Sequence, residues 1–550
     1  MKTRNLIKHF SVALMALILF QAGYSLPIDS TGNKTIVILG SSVAAGWVTS
    51  YKEKYDMQNG YAARLDRLIE SRGWTLKNIS IPGFDTRSTI VRFEKEVLPL
   101  NPRYVFIGLS MANEGLTTEN PDSVFVRYRD GMAKLIALCR EHDMVPVVGL
   151  CYSNNDYSNS QYEYLKRMNL LISSWDVPCV NLLGALDDGS GHFPEGYTFD
   201  AGHPDDRGHE ELFYSFVPDL FDAVSQAKMF PVPAAIGSAA AGETFITLGK
   251  RGNFQQIGYV PGEVMHPFSM GFSFRTKGDG LLVEVKISGA GAGQILVNKE
   301  GHLVYQTKEK LIVSIIKPEK NKWHQVMITH GYLVQRTTLY LDGVFQGSCE
   351  ERIEPTGFFI GNSPDKVDYR DLWIFRSALN HNEVRVISEG KSLAGSLEVM
   401  APLDDKDLKK GMILNNYAHS LGAAILDPPD INIRMAALEE KIVRSTIARA
   451  NALKVEHKKA ISIDPAILDQ FTGQYEIAPG DFFTVEKKKG KLFFTDRGNS
   501  AELLPEAANR FFIRYPADLT VVFESDGQGH LTGLIFAMNG REMKARKVIQ

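Results

Sequence analysis

The feature that most constrains the fold is an alternation of short apolar runs with amphipathic segments over residues 35–225. The apolar runs lie at 35–40, 76–81, 104–109, 145–150 and 179–183. Largely apolar strands that alternate with helices are typical of a parallel sheet covered by helices on both faces. The sequence therefore predicts an open α/β domain whose ligands bind beyond the carboxyl ends of the strands.

The chain continues well beyond this region, and its 550 residues exceed what one hydrophobic core usually serves. Residues 226–242 are rich in Pro, Ala and Gly, which is typical of a linker. Over residues 243–400 helical periodicity nearly vanishes, and short alternating strands are joined by turns such as Asp342-Gly343. This pattern predicts a β-sandwich.

The C-terminal part combines one helix with a second all-β region. Residues 432–460 form a single helical stretch of mixed charge, which we expect to connect or buttress domains. Residues 463–550 return to short strands and predict a small β-domain. The predicted architecture is therefore multidomain: an α/β domain at 35–225, a β-sandwich and a small all-β C-terminal domain.

The N-terminus has the pattern of a secretory signal peptide over residues 1–25. Lys2, Arg4 and Lys8 precede an apolar run at 10–20, and small residues follow the run. The run is short for a membrane span, so an uncleaved anchor is the weaker alternative. We expect a secreted or periplasmic protein with no transmembrane span in the mature chain. The formal net charge of -3 argues against nucleic acid as a partner.

Cysteine usage points away from a disulfide scaffold and from a metal site. Four cysteines are few for an exported chain of this length. Cys151 and Cys179 each lie at one end of a predicted strand and could pair, which the sequence leaves open. No CxxC motif occurs, and His and Cys do not cluster with zinc spacing. The sequence implies no metal and no cofactor.

A serine follows the first predicted strand, in the segment Gly40-Ser41-Ser42. At this strand-to-loop turn, Ser42 would project at the carboxyl edge of the sheet. The N–H groups of a helix that begins there would favour a developing oxyanion. Because serine is also a common helix N-cap, this segment alone leaves catalysis and a plain capping role open.

A carboxylate and an imidazole lie three residues apart after the fifth predicted strand, at Asp200 and His203. A serine hydroxyl is a weak nucleophile that needs a neighbouring base, and histidine suits that role. The carboxylate would fix the imidazole tautomer and stabilise the imidazolium. We therefore predict Ser42 as nucleophile, His203 as base and Asp200 as its partner. His209, at the start of a helical run, is the competing histidine; we reject it as the base and interpret it as what could simply be a surface residue.

Two further positions follow the second and third predicted strands. Gly83 offers a backbone N–H and Asn113 a side-chain amide, and both kinds of donor can stabilise a tetrahedral oxyanion. Taken singly, each is more simply a turn glycine or a loop asparagine. Together with the N–H of Ser42, they make a predicted oxyanion hole.

These four blocks, in this order, resemble the SGNH/GDSL hydrolase family across the α/β region. The family's serine, glycine, asparagine and histidine fall on Ser42, Gly83, Asn113 and His203, and its aspartate falls on Asp200. The resemblance implies a flavodoxin-like sheet and ester hydrolysis through an acyl-enzyme.

The sequence departs from the family pattern in two blocks. The family's Gly-Asp-Ser reads Gly40-Ser41-Ser42, and its Gly-x-Asn-Asp lacks the glycine and ends in Glu114. These changes leave the substrate class less defined, while all the functional positions stay filled.

Two other regions resemble known modules. The region 243–400 resembles laminin-G/concanavalin-like jelly rolls, with matching pieces at 323–326, 339–343, 359–361 and 371–375. The C-terminal region resembles a small β-domain that often follows beta-lactamase-type serine hydrolases, with its cues at 471–475 and 539–543.

The sandwich region also carries aromatic residues, among them Trp323, Tyr340, Phe345 and Trp373. Aromatic rings can stack on the apolar face of a sugar, although tryptophans at alternating strand positions are more often core residues. We therefore expect a secreted serine esterase that acts on an acetyl or other short acyl ester of a carbohydrate. Its partner is an acylated carbohydrate or another small ester substrate.

Two alternatives stay open. One is a lipid or lysophospholipid esterase on the same scaffold, and the other is a non-catalytic glycan-binding surface protein built on a degenerate hydrolase fold. Ser314 begins an SxxK motif like that of beta-lactamases, but it lies in a β-like run rather than at a helix start, so we reject it as a nucleophile.

Overall fold

The structure is a computed structural model that describes residues 32–47, 57–228, 244–450, 458–478, 480–496, 499–513, 520–538 and 541–548. The predicted signal peptide, most of the predicted linker, residues 451–457 of the predicted connecting helix and the 539–540 cue lie outside the described residues. Two compact units divide the chain. The larger unit takes Met1–Gly46, Gly60–Pro194 and His209–Asn451, and the smaller takes Trp47–Asn59, Glu195–Gly208 and Ala452–Gln550.

The larger unit begins with a five-stranded parallel sheet of order β2-β1-β3-β4-β5. Its strands are β1 (Thr35–Gly40), β2 (Thr75–Asn78), β3 (Tyr104–Gly108), β4 (Val145–Gly149) and β5 (Cys179–Val180). The helices of the α/β region are α1 (Ser42–Ala45), α2 (Tyr61–Glu70), α3 (Thr86–Glu96), α4 (Pro121–Glu141), α5 (Asn159–Ser173), α6 (Asp206–Tyr214) and α7 (Leu220–Ser225). Strands β3 and β4 are buried at every residue, as expected for a sheet covered on both faces. The predicted flavodoxin-like α/β fold is confirmed.

Two strands are shorter than their apolar runs predict. Strand β2 ends at Asn78, whose side chain donates to the carbonyl of Ala44 at 2.8 Å and accepts from the N–H of Ser80 at 3.1 Å. Beyond Asn78 the N–H groups of Ile79 and Ile81 still donate to the carbonyls of Ile38 and Gly40 at 3.1 Å, so the chain stays beside β1 although the regular strand has ended. Strand β5 has only two residues, and a 3₁₀ turn at Leu183–Ala185 replaces its predicted end.

All four cysteines lie among the described residues and are free. Cys151 and Cys179, which could have paired, are both buried as thiols, and burial raises the pKa of each to about 12. The side-chain amide of Asn169 bonds both the N–H and the carbonyl of Cys151 at 2.8 Å. Cys151 therefore has a packing role.

In the part of the chain that the structure describes, no helix has the length and apolarity needed to cross a bilayer.

The larger unit continues into two antiparallel sheets that share one apolar core, so the predicted β-sandwich is confirmed. The first sheet has the order β12-β11-β10-β9-β16-β7-β19. Its strands are β7 (Gln256–Tyr259), β9 (Gly280–Ile287), β10 (Gly291–Val297), β11 (Leu303–Gln306), β12 (Leu311–Val313), β16 (Pro355–Gly361) and β19 (Ile425–Leu426). The last of these extends the sheet beyond residue 400.

The second sheet has the order β15-β14-β13-β8-β17-β18, with β6 also paired to β17. Its strands are β6 (Ile246–Leu248), β8 (Phe268–Arg275), β13 (His324–Gly331), β14 (Arg336–Leu341), β15 (Val344–Glu350), β17 (Val367–Phe375) and β18 (Leu397–Ala401). A helix, α8 (His381–Ser388), lies between β17 and β18 in the chain and starts with a capping box of Asn380 and Glu383.

Buried hydrogen bonds join the α/β region to the sandwich within the larger unit. The N–H of Asn181 donates to the hydroxyl of Ser396 at 2.7 Å, and its side-chain amide donates to Glu383 at 2.8 Å. Helix α9 (Ile431–Ala450) adds an apolar contact, because Leu438 and Ile442 share a buried cluster with Tyr214 and Val264.

The C-terminal part of the smaller unit is a closed barrel of eight antiparallel strands. A 3₁₀ segment at Pro465–Phe471 precedes it and contributes Leu468 and Phe471 to its core. The strands are β20 (Gly473–Ala478), β21 (Asp481–Lys488), β22 (Lys491–Asp496), β23 (Asn499–Ala507), β24 (Arg510–Ile513), β25 (Thr520–Ser525), β26 (Leu531–Met538) and β27 (Arg541–Lys547). The predicted small all-β domain is confirmed.

Candidate active site

Ser42 lies directly after the carboxyl end of β1, as the first residue of helix α1. Ser41, not Ser42, is the N-cap of this helix, so Ser42 does not have the plain capping role. A side chain at Gly40 would place its Cβ 2.3 Å from Ala44 Cβ and 2.7 Å from the carbonyl oxygen of Gly108. Glycine is therefore required for the tight turn that brings Ser42 to the edge of the sheet.

Ser41 and Ser42 differ in their surroundings. Ser41 is fully buried, and its hydroxyl lies beside the phenol of Tyr152, which the hydroxyl of Ser110 also approaches. Burial raises the pKa of Tyr152 far above its usual value, so the phenol stays protonated. Ser42 keeps 8% of its surface exposed. The geometry thus favours Ser42 over Ser41 as the serine that can meet a substrate.

Gly83 and Asn113 follow β2 and β3 at the same carboxyl edge of the sheet. The side-chain amide of Asn113 donates to the carbonyl of Phe84 at 3.2 Å, which ties the two loops together. Gly83 is exposed and has a left-handed backbone with φ of +81°. Just beyond it, Asp85 caps helix α3 by accepting from the N–H of Ser88 at 2.8 Å.

Glu114 is a positioning residue that sequence reasoning noted only as a departure from the family pattern. It is almost wholly buried and accepts from both the N–H and the hydroxyl of Thr86 at 3.0 Å. Arg127 of helix α4 donates to the same carboxylate at 3.1 Å. Glu114 therefore ties the loop that carries Asn113 to the start of helix α3. Sequence reasoning missed Arg127, because it lies on another helix and only the fold brings it to Glu114.

Asp200 and His203 form a hydrogen-bonded pair. The Nδ1 atom of His203 lies 2.7 Å from Oδ1 and 2.8 Å from Oδ2 of Asp200. The two side chains keep 22% and 23% of their surfaces exposed. A carboxylate accepts only, so the imidazole proton is on Nδ1 and the lone pair of the neutral ring is on Nε2.

The loop around this pair is held by backbone and side-chain bonds. The N–H of Phe199 donates to the carbonyl of His203 at 2.9 Å, and the N–H of Gly202 donates to Asp200 at the same distance. Asp205 accepts from the N–H of Arg207 at 2.9 Å. The bonds on both sides of the pair fix the carboxylate and the ring relative to each other.

The interpretation of His209 as a surface residue is wrong. His209 is completely buried, its Nδ1 accepts from the N–H of Tyr61 at 3.3 Å, and its ring stacks on the Tyr61 ring. The N–H of Tyr61 is an orphan donor of the first turn of α2, so the imidazole satisfies a helix end. Its partner lies 148 positions away in the chain, which is why sequence reasoning missed this role.

The predicted site residues divide between the two units. Ser42, Gly83 and Asn113 belong to the larger unit, and the Asp200–His203 pair belongs to the smaller one. Within the larger unit, the loops of Gly83 and Asn113 are bonded to each other, and within the smaller one Asp200 is bonded to His203. The catalytic roles of all five residues stay a prediction.

Comparison with known proteins identifies the N-terminal region. Residues 38–211 match the model of the GDSL-like Lipase/Acylhydrolase family. The resemblance drawn from the four sequence blocks is therefore confirmed, and the α/β region is a GDSL-like hydrolase domain. The matched segment includes Ser42, Gly83, Asn113, Asp200 and His203.

Other similarities cover parts of the chain. Residues 457–547 match a domain of unknown function, DUF3471. The uncharacterized lipoprotein YqeF of Bacillus subtilis (strain 168) is 25% identical over 146 residues, which are 26% of this chain and 57% of that relative.

Among solved structures, a GDSL-like lipase from Bacteroides thetaiotaomicron is 15% identical over 39% of this chain and 96% of its own, with a TM-score of 0.28. A heptameric SAP-like pentraxin from Limulus polyphemus is 16% identical over 26% of this chain and 80% of its own, with a TM-score of 0.22.

Proposed function

We propose that the GDSL-like domain hydrolyses carboxylic esters through an acyl-enzyme on Ser42. The observation that carries the proposal is the Asp200–His203 pair, in which Nδ1 bonds to the carboxylate at 2.7 Å. This bond selects the tautomer whose Nε2 can take a proton. A serine after β1 and an oriented base supply the two groups that acyl transfer requires.

In the proposed reaction, the oxygen of Ser42 attacks the ester carbonyl while its proton passes to Nε2 of His203. Asp200 stabilises the imidazolium that forms. The tetrahedral intermediate then collapses, the bond to the alcohol breaks, and the alcohol leaves with the proton from Nε2. A water molecule repeats the sequence on the acyl-enzyme, which releases the acid and restores the serine.

The charge on the tetrahedral oxygen needs donors that are in place before the reaction. We assign this role to the N–H groups of Ser42 and Gly83 and to the amide of Asn113. The amide carries two hydrogens, of which one bonds to the carbonyl of Phe84 and holds the group in position. Each donor of this kind typically contributes about 3 kcal/mol to transition-state binding.

The test is covalent labelling with a fluorophosphonate followed by peptide mapping. We expect the label on Ser42, because the phosphonate traps the activated nucleophile. Ser42→Ala should lose both label and turnover, whereas Ser41→Ala is the matched control that keeps the label on Ser42. A label on Ser41 or Ser314, or an unlabelled and inactive protein, would reject the assignment. The last result would favour the non-catalytic alternative.

We further propose that the substrate is an acetyl or other short acyl ester on a carbohydrate, outside the cell or in the periplasm. The N-terminal sequence pattern and the attached sandwich support this. The aromatic residues give limited support: Trp373 and Tyr340 are buried in the core, and Phe345 is exposed. Trp323 lies against the guanidinium groups of Arg275 and Arg370, 4.8 and 4.4 Å from its ring centre.

A p-nitrophenyl acyl series on the full-length protein tests the substrate class. A preference for acetyl over longer chains, together with release of acetate from an acetylated polysaccharide, supports the carbohydrate proposal. A preference for long chains would favour the lipid esterase instead. Removing the sandwich would be a poor test of its part in carbohydrate binding, because it shares buried hydrogen bonds with the α/β region. Phe345→Ala, which changes one exposed aromatic side chain, is the better variant.

A further inference from the structure

The edge of the sandwich carries an apolar surface that the proposed esterase function does not use. Strand β12 is the last strand of one sheet and β15 the last strand of the other. Four large apolar side chains in β12 and directly after it are exposed, with 76% exposure for Ile315 and 61% for Leu311. We call them the edge patch: Leu311, Val313, Ile315 and Ile316.

The segment that carries the edge patch is bonded to the neighbouring edge strand. The N–H of Ile316 donates to the side chain of Gln346 at 2.9 Å, which bonds the segment after β12 to β15. Along β12 the side chains alternate, so that Ile312 enters the core while Leu311 and Val313 face outward. Leu311 and Val313 thus share the outward face of β12, and Ile315 and Ile316 follow directly after them.

The segment around β12 is positively charged. Residues 308–322 contain five lysines and two glutamates, a net charge of +3 in a chain whose formal net charge is -3. Lys322 pairs with Glu319 at 2.5 Å. Lys308, Lys317 and Lys320 are exposed, and among the described residues none of them has a carboxylate within 4.0 Å. Cations without partners therefore flank the apolar side chains.

We propose that the edge patch binds the surface of an anionic lipid bilayer. The aliphatic side chains enter the interfacial region, and the lysines bond to the anionic headgroups. Apolar area and basic charge on one face are the two contributions that give peripheral proteins their affinity for such membranes. The binding does not depend on the esterase function, and it holds the enzyme close to a membrane whichever ester it cleaves.

Other occupants fit the patch less well. In a symmetric dimer the same face would meet itself, so Lys308, Lys317 and Lys320 would face their own copies and repel. Strand β12 is three residues long and is followed by Pro318, which leaves little edge for pairing with another strand. All four side chains of the patch are aliphatic and lack the ring face that stacks on sugars.

The experiment uses the full-length protein with Ser42→Ala, so that hydrolysis cannot alter the lipid. Co-sedimentation is measured with vesicles of phosphatidylcholine alone and of phosphatidylcholine with phosphatidylglycerol. We expect binding to the anionic vesicles, release at high salt because surface charges are screened, and little binding to the neutral ones. Lys317→Gln with Lys320→Gln should weaken binding about 25-fold, since each lysine contributes about fivefold.

Leu311→Ser with Ile315→Ser should weaken binding about 100-fold, about tenfold for each buried side chain. Matched controls are Val91→Ser, an 85% exposed valine on α3, and Lys250→Gln, an exposed lysine of the same sandwich. Both should bind as the parent does, and unchanged thermal unfolding shows that the variants fold. Equal binding to neutral vesicles, no binding to anionic ones, or a dimer that the Ser variants dissociate would overturn the proposal.

Discussion

The molecule contains two histidine–carboxylate pairs with nearly the same bond length and very different settings. In the smaller unit, His203 and Asp200 are 2.7 Å apart, with 22% and 23% of their side chains exposed. In the larger unit, His266 and Glu211 are 2.8 Å apart, with 0% and 2% exposed. The second ring nitrogen of His266 lies 3.2 Å from Glu354, and the ring stacks on Tyr332.

The difference shows that a histidine bonded to a carboxylate is not by itself a catalytic pair. Both ring nitrogens of His266 face carboxylates, and its faces are covered, so it has neither a basic lone pair nor a path to substrate. Burial lowers its pKa, but the charges and hydrogen bonds of Glu211 and Glu354 outweigh burial and raise the pKa above its usual range. This pair holds helix α6 against the sandwich.

Alanine at each histidine gives the largest expected contrast. His203→Ala should lower kcat/KM by about 10⁶-fold, because a serine without its base is a weak nucleophile, and should leave thermal unfolding nearly unchanged. His266→Ala should keep most of the activity. It should lower the free energy of unfolding by about 3 kcal/mol, and the melting temperature by several degrees, because it leaves buried charges without compensation. Initial rates and calorimetry on the two variants measure this.

The opposite outcome has a clear meaning. If His266→Ala lost activity at an unchanged melting temperature, or if His203→Ala kept its turnover, the roles assigned to the two pairs would have to be exchanged. His209→Ala is a useful third variant, because its buried ring bonds Tyr61 and should affect stability more than rate.

Amide substitution at each carboxylate sharpens the comparison at nearly constant volume. Asp200→Asn should lower kcat by about 10⁴-fold, because the amide can donate to Nδ1 and so favours the wrong tautomer. Glu211→Gln should change kcat by less than about threefold, since it touches no group of the proposed reaction, while it lowers the melting temperature. Equal losses of kcat in the two variants would contradict the assignment.

The smallest effect is on the pH dependence of stability. Because the pKa of His266 is raised in the folded state, its contribution is fully present below the unfolded value of about 6.5 and is lost as pH rises through the folded pKa. The gap in melting temperature between the parent and His266→Gln should therefore shrink from about pH 6 to about pH 9. A gap that stays constant or widens would argue against a charged His266.

Glu354, which bonds to His266, does not titrate over this pH range. Burial raises its pKa, but hydrogen bonds from His266 and Arg449 outweigh burial and lower the pKa to about 2. Glu354 stays ionised throughout the range in which the gap is measured.

Local patterns were enough to predict the central strands. The β-branched run at 35–40 matches β1 in full, and β3 and β4 each begin where their apolar runs begin. These strands are buried on both faces, and a strand of that kind appears in the sequence as a run of consecutive apolar residues. Strand β5 is shorter than predicted because the N–H of Asn181 bonds to Ser396, 215 positions along the chain. No local pattern contains that partner.

The same distinction applies to the site and to the barrel. The Asp200–His203 bond joins residues three apart, so spacing alone predicts it. The roles of His209 and Glu114 depend on Tyr61, Thr86 and Arg127, which come from other elements, and only the fold brings them together. The C-terminal strands could be recognised one by one, whereas the pairing of β20 with β27 that closes the barrel joins the two ends of the domain.

Gly184 limits how this chain can be recombined with others. A side chain there would place its Cβ 2.1 Å from the hydroxyl of Ser377 and 2.6 Å from the carbonyl oxygen of Ala378, both in the sandwich region. If this GDSL-like domain were fused to another accessory module, Gly184 and Asn181 would lose the residues that they contact in the sandwich region. The recipient would have to supply a serine hydroxyl and a carboxylate at matching places. We therefore expect the domain to be transferable to another chain only together with its sandwich.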